Sequence, residues 1–177
     1  MNRGQTMKQP DSKEAFDRQW FLGRLRIVSG GQTGVDRAAL DWAIESGLAH
    51  GGWCPQGRLA EDGVIPAQYA LRELPDGGYR KRTRANVEDS DGTLILNLGA
   101  LEGGTLLTRH FAERLGKPWK LVQLERRESR ENFEAVLLWL AENHVRTLNI
   151  AGPRESKCPG IHAETMEFLD AVRLAGQ

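Results

Sequence analysis

Short apolar runs that suit buried strands alternate along this chain with stretches whose apolar residues recur every three to four positions, the helical spacing. Residues 25–30, "LRIVSG", predict a first strand. After them Val35, Ala39, Trp42, Ala43 and Ile44 share one helical face, and Gly47 is placed to end that helix. "GGWCP" (51–55) predicts a short second strand, "QGRLAEDGVIP" (56–66) a long loop and "PAQYALREL" (66–74) a short helix. A further helical stretch over 82–91 leads into "GTLILNL", a buried strand. The segment "ALEGG" opens a helix over 105–115, which Gly116 and Pro118 stop. "WKLVQL" is the next strand. Residues 129–144 form a clear helix, with Ser129 as cap and Phe133, Val136, Leu137 and Leu140 as its apolar stripe. "RTLNIAG" is the last strand, and 160–176 the closing helix.

Strands alternating with helices predict an α/β fold: a Rossmann-like three-layer sandwich, its sheet mostly parallel, with helices on both faces. Residues 1–22 are polar and read as a flexible or partly helical extension, with a helical stretch from Ser12. Residues 23–177 read as one Rossmann-like domain.

Composition narrows the function without naming it. The 177 residues carry 24 basic and 24 acidic side chains, so the formal charge is zero. This balance argues against a nucleic-acid or membrane-surface partner. No apolar run approaches a membrane span, and the first twenty residues lack a signal core, so a cytoplasmic location is expected. Two cysteines, Cys54 and Cys158, are too few for a disulfide framework and suit a reduced compartment.

The candidate chemistry gathers at the predicted strand ends, where α/β proteins bind ligands. Strand one runs into "SGGQTG" and then a helix. There Gly30, Gly31, Gln32, Thr33 and Gly34 offer bare amides and a hydroxyl at a helix start, an anion-binding arrangement. The P-loop pattern fails because no Lys follows Gly34, and a dinucleotide site is disfavoured because Trp53-Cys54-Pro55 stands where an acidic residue should hold the ribose. A second anion loop is "EGGT", with Gly103, Gly104 and Thr105. Arg58, Arg82, Arg154 and Lys157 lie in strand-end loops and are candidate oxyanion ligands, Arg82 and Arg154 foremost. Asp36 is a candidate brace for the first loop. Glu61 and Asp62 suit either a turn or a ligand's N–H edge. The four histidines show no zinc spacing, and only His162 falls near the crevice.

Five of these segments together, "SGGQTGVDRAALDWA", "CPQGRLAEDGVIP", "YRKRTRANVEDSDGTLIL", "GGTLLT" and "NIAGPRESKCPGI", resemble the putative molybdenum carrier family, from about Leu25 to the end. More distantly the chain is similar to nucleotide-handling Rossmann-like proteins that include the cytokinin-activating phosphoribohydrolases. Those enzymes carry an "RK…SD" segment and a "PGGxGTxxE" loop. Here Arg82, Ser90-Asp91 and Gly103-Gly104-Thr105 echo both, but Thr108 takes the place of the glutamate. The resemblance implies a non-catalytic carrier for molybdenum cofactor (molybdopterin) or a related phosphorylated, oxyanionic ligand. It also implies a homo-oligomer, dimer or tetramer, with molybdoenzyme clients. The alternative it leaves open is a nucleotide or nucleotide-sugar binding enzyme or sensor, in which Glu102 would have to replace the missing acid.

Overall fold

Six consecutive buried residues, Gly92–Asn97, make a strand with no solvent face. Such a strand needs cover on both sides, and the whole fold supplies it. In a computed structural model of the protein, residues 23–124 and 130–176 are described. The elements in chain order are β1 (Arg26–Val28), α1 (Val35–Glu45), β2 (Ala49–Pro55), β3 (Leu59–Ala60), β4 (Gly63–Val64), β5 (Leu71–Leu74), α2 (Tyr79–Glu88), β6 (Gly92–Asn97), α3 (Gly103–Arg114), β7 (Trp119–Gln123), α4 (Arg130–Glu142), β8 (Thr147–Ala151) and α5 (Ile161–Ala175). Six strands form one sheet in the order β5-β2-β1-β8-β6-β7. Every pairing in it is parallel.

Alternation along each strand divides the side chains between two helical layers. Ile27, Leu94, Leu96, Val122, Leu148 and Ile150 join α1, α4 and α5 in the main core. There Val35 and Ala39 of α1, Leu137 and Leu140 of α4, and Phe168 of α5 are almost wholly buried. The opposite sheet face meets α2 and α3, which pack on each other through Val87, Phe111 and Ala112. This second face is partly polar. Thr93, Asn97 and Asn149 are buried on it, and Asn149 Nδ2 donates to Thr93 Oγ1 at 3.3 Å.

The parallel α/β fold is as expected, with three differences in detail. The stretch 66–74 is not a helix: Leu71–Leu74 is the parallel edge strand β5, registered on Gly52–Pro55 of β2. Ala67, Ala70, Leu71 and Leu74 have helical spacing in the sequence. Burial of Leu71 against Ile65, Tyr69, Cys54 and Leu40 decides the outcome instead. β2 begins at Ala49, two residues before the predicted start. The expected loop 56–66 carries a small antiparallel ribbon, β3–β4, paired Leu59 to Val64 and Ala60 to Gly63. The expected helix from Ser12 and the Ser129 cap lie outside the described residues.

Arg58 organises that ribbon and the chain beyond it. Its guanidinium donates to the carbonyls of Ile65, Pro66, Tyr69 and Leu71 at 2.9–3.0 Å. A charged donor meeting four main-chain acceptors fixes a segment that has little secondary structure of its own. Arg58→Met keeps the stem and removes the donors. It should lower stability by about 1–3 kcal/mol in urea unfolding; an unchanged midpoint would show that water serves those carbonyls equally well.

Candidate functional site

Strand order fixes where a cavity can form. β1 leads outward to β2, β6 leads the opposite way to β7, and β8 lies between them. The loops leaving β1 and β6 therefore diverge to opposite faces, α1 on one and α3 on the other, which opens a crevice beyond the strand ends. A cavity of about 800 Å³ lies there. That size suits a small organic ligand.

Three loops, α2 and the first turns of α3 line it. The loop after β1 contributes Gly30 and Gln32, the loop after β6 contributes Asn97 and 102–105, and the loop after β8 contributes Gly152, Arg154 and Lys157. From α2 come Tyr79, Arg80, Arg82, Thr83 and Asn86. Of the twelve residues expected to bind, the lining brings together Gly30, Gln32, Arg82, Gly103, Gly104, Thr105, Arg154 and Lys157. Gly31, Thr33, Gly34 and Arg58 are not in it.

The first glycine loop serves the protein's own packing. Arg82 lies directly over Gly30: a Cβ there would sit 1.2 Å from Nη1. Nη1 donates to Asp36 Oδ2 at 2.9 Å, and the two side chains are only 12% and 8% exposed. At Gly31 a Cβ would strike Leu71. Gly34 has φ +73, and its Cβ would meet the carbonyl oxygen of Pro153 at 2.4 Å. Only glycine meets both demands there. Pro153 O also accepts from Val35 N at 3.2 Å, so the start of α1 is partly occupied by the loop after β8. The α3 start differs. No atom stands within 4 Å of a Cβ at Gly103 or Gly104, and no side chain caps the helix. Its free N–H groups and positive dipole end are available to an anion.

Gln32 and Glu61 join the loops. Gln32 Oε1 accepts from Thr33 N at 3.0 Å and Glu61 N at 2.9 Å. The Glu61 carboxylate, in the turn between β3 and β4, accepts from Ser156 N at 3.1 Å, Ser156 Oγ at 2.5 Å and the Thr33 hydroxyl. Arg154 Nη1 stands 3.6 Å from it. Asp62 in the same turn pairs with Arg37 at 3.1 Å. Arg37 also donates to the Gly31 carbonyl, which explains a cation in the first turn of α1. Neither carboxylate shows this joining role in the sequence, because the contacts span 25 to 95 residues and leave no local pattern.

Two further candidates lie elsewhere. His162 Nε2 meets Asp41 at 2.9 Å, and Tyr69 donates to the same carboxylate at 2.6 Å, outside the cavity lining. Trp53 donates to Asp89 at 2.7 Å and carries Arg72 over its ring at 4.2 Å. Among the cysteines, Cys158 lines the cavity and Cys54 is buried behind β5. Burial raises both thiol pKa values above the ordinary one, helped at Cys158 by Glu155 and Glu164. Both are therefore protonated near neutral pH. Among the described residues no group of three or more His, Cys, Asp or Glu side chains could hold a metal ion.

Of the buried side-chain polar atoms without a hydrogen-bond partner among the described residues, two belong to residues that line the cavity, Gln32 Nε2 and Arg82 Nε, but both nitrogens are themselves enclosed by protein. Thr108, where the phosphoribohydrolases have glutamate, is buried and donates back to the Gly104 carbonyl at 2.9 Å. Glu102 is exposed at the rim.

Burial pushes the Glu61 carboxyl up, but hydrogen bonds from Ser156 and Thr33, with Arg154 nearby, outweigh it and leave the pKa below the ordinary glutamate value. A lowered folded pKa contributes stability above the unfolded value, about 4.3, and loses it as pH falls through the folded value. The stability difference between wild type and Glu61→Gln should thus be constant from about pH 6 to 8 and shrink below about pH 4. Denaturant unfolding across that range checks it.

Comparison with known proteins follows the same outline. The sequence model of the circularly permutated YpsA SLOG family matches residues 27–173. The crystal structure of a "Putative molybdenum carrier protein" from Syntrophus aciditrophicus SB superposes with a TM-score of 0.82 at 47% identity, covering 85% of this chain and 95% of that one. No curated protein matches. The chain belongs to the circularly permutated YpsA SLOG family.

Proposed function

We propose that this family member is a non-catalytic carrier that holds a small phosphorylated or oxyanionic ligand beyond the C-terminal edge of the sheet, with molybdenum cofactor as its cargo. The observation that carries the reading is the combination in one cavity of an uncapped α3 start with the cationic side chains of Arg154 and Lys157. Free helix-start amides beside two cations argue for a bound anion. The name of the Syntrophus protein points to molybdenum cargo. The residues fit such a molecule. The cofactor's terminal phosphate suits the amides of Gly103 and Gly104, with Lys157 and Arg154 as counter-charges, and the buried polar sheet face with Asn97 and Asn149 suits a pterin's hydrogen-bonding edge. The cysteines fit less well as metal ligands, since both are protonated thiols at neutral pH. Self-association into a dimer or tetramer and hand-over to molybdoenzymes complete this reading.

Titration of the purified protein with molybdenum cofactor freshly released from a molybdoenzyme, followed by pterin fluorescence, should saturate at one cofactor per chain. Lys157→Ala should weaken binding about tenfold, the loss of one charge-assisted contact, and Arg154→Ala by a smaller factor because Glu61 already stands 3.6 Å from its guanidinium. Absence of saturable binding would refute the cargo assignment, and unchanged affinity in both variants would place the anion elsewhere.

One observation favours a second reading. Glu102 puts a carboxylate at the rim, beside the glycine loop that echoes the phosphoribohydrolases. Hydrolysis of an N-glycosidic bond needs an acid group to stabilise charge on the ribose, and Thr108 is no acid and is turned into its own helix. Incubation with nucleoside monophosphates should therefore release no free base, as judged by chromatography. Release that Glu102→Gln abolishes would establish the enzyme instead.

A further inference from the structure

Beyond the binding of a small ligand, we infer that the face shared by α2 and α3 is a docking groove for an acidic amphipathic segment of a partner protein. Leu107, Phe111 and Leu115 repeat every four residues along α3 and its last turn, which puts them on one side of the helix. Two adjoining hollows lie over this stripe, of about 470 and 220 Å³, and share Arg80, Phe111 and Arg114. Each is many times the ~30 Å³ that one water occupies, so together they form a groove and not a packing fault. Phe111 is buried, while Leu107 and Leu115 are half-buried. The floor is therefore apolar and still partly uncovered.

The walls are cationic. Arg80, Lys81 and Arg84 of α2 and Arg114 of α3 line the hollows, and all four are exposed. Arg80 lies over the Phe111 ring at 5.4 Å, and Lys81 donates to the Asp76 carbonyl at 3.1 Å. The two helices contain only two acids, Glu88 and Glu113. Each pairs within its own helix, Glu88 with Arg84 at 3.6 Å and Glu113 with Arg109 at 2.8 Å. Arg80, Lys81 and Arg114 are left without a carboxylate partner among the described residues. In a chain of zero formal charge, this face carries a local excess of positive charge.

Charge and shape together select the occupant. A segment with apolar side chains along one face seats them on the floor, and Asp or Glu beside them meet the walls. A second copy of this chain fits less well. A two-fold contact would set the patch against itself, cation facing cation, with both acids already engaged. Nucleic acid gains from stacking on exposed rings, and Phe111, the ring in these hollows, is only 8% exposed. Arg80 and Leu107 line the large cavity as well as the groove, so a seated segment lies beside that cavity.

The probe is a fluorescein-labelled helical peptide of about 16 residues, roughly four turns, with leucines on one face and glutamates flanking them. Its fluorescence anisotropy is followed on titration with the full chain. The expected result is saturable, micromolar binding at about 0.05 M salt that weakens at least about fivefold at about 0.5 M. Lys81→Glu combined with Arg114→Glu, two exposed positions outside the large cavity, should weaken it by about tenfold or more. Lys81→Gln with Arg114→Gln, which removes the charges without reversing them, should give a smaller loss in the same direction, and thermal unfolding confirms that both variants fold. A peptide of the same composition with its leucines scattered around the helix should bind at least about tenfold more weakly. No binding of the probe, equal binding of the scattered peptide, or unchanged affinity in the charge-reversed variant overturns the docking groove. A wild-type dimer in sedimentation equilibrium that the charge-reversed variant breaks also overturns it and gives the face to a second copy. So does a single-stranded oligonucleotide that binds more tightly than the peptide and is lost in the same variant. Each of these outcomes leaves the carrier reading standing.

Discussion

The site depends on a buried ion pair. Arg82 from α2 reaches across the strand ends to Asp36 in the first turn of α1, and it can do so only because residue 30 has no side chain. The two helices lie on opposite faces of the sheet, so this pair links the layers at the rim where the cavity opens. Removing two charges from water costs several kcal/mol per ion after relaxation. Better-packed apolar residues would serve stability as well or better. What the pair supplies that apolar packing cannot is a guanidinium held in one orientation. Asp36 at a helix start is also favoured by the α1 dipole, which partly offsets the cost.

Around that pair the loops after β1 and β8 are joined by contacts that are each modest. Glu61 ties the β3–β4 ribbon to the loops after β1 and β8, and Arg58 holds the chain that follows the ribbon. Gly34 lets the loop after β8 press against the start of α1. The outcome is a cavity whose wall on the β1 side is held by the protein's own contacts. The wall at α3 is the reverse. Its glycines touch nothing, and Thr108 supplies a hydrogen bond only within the helix.

Much of the architecture was legible in the sequence because parallel strands buried on both faces leave continuous apolar runs, as in Gly92–Asn97, and because α1, α4 and α5 bury stripes of helical period. β5 was misread because an edge strand of four residues is too short to show alternation, and its two leucines stand three apart. The site was legible as a place more than as a set of roles. "SGGQTG" drew notice for its glycines, yet those glycines admit Arg82, Leu71 and the backbone after Pro153. No local pattern can say whether a bare amide meets a ligand or the protein itself. Nor can it show that Arg58 faces four carbonyls, since the partners lie 7 to 13 residues away in a segment without periodicity.

A carrier must release what it binds, and the geometry of Arg154 bears on this. Its guanidinium stands 3.6 Å from Glu61 and lines the cavity at the same time. A cation with a carboxylate already nearby gains less from an arriving phosphate than one that is free, because the new contact partly replaces an existing one. Its half-exposed position weakens both interactions further through solvent and salt. On the proposed carrier reading, Lys157, with no such competitor among the described residues, and the α3 amides would provide most of the anionic affinity, while Arg154 would moderate it. Binding energy would then be spread over several partial contacts and not concentrated in a closed cage. An enzyme that stabilises one transition state needs its charges fixed and undiluted; a site built to load and unload cargo tolerates, and gains from, this sharing.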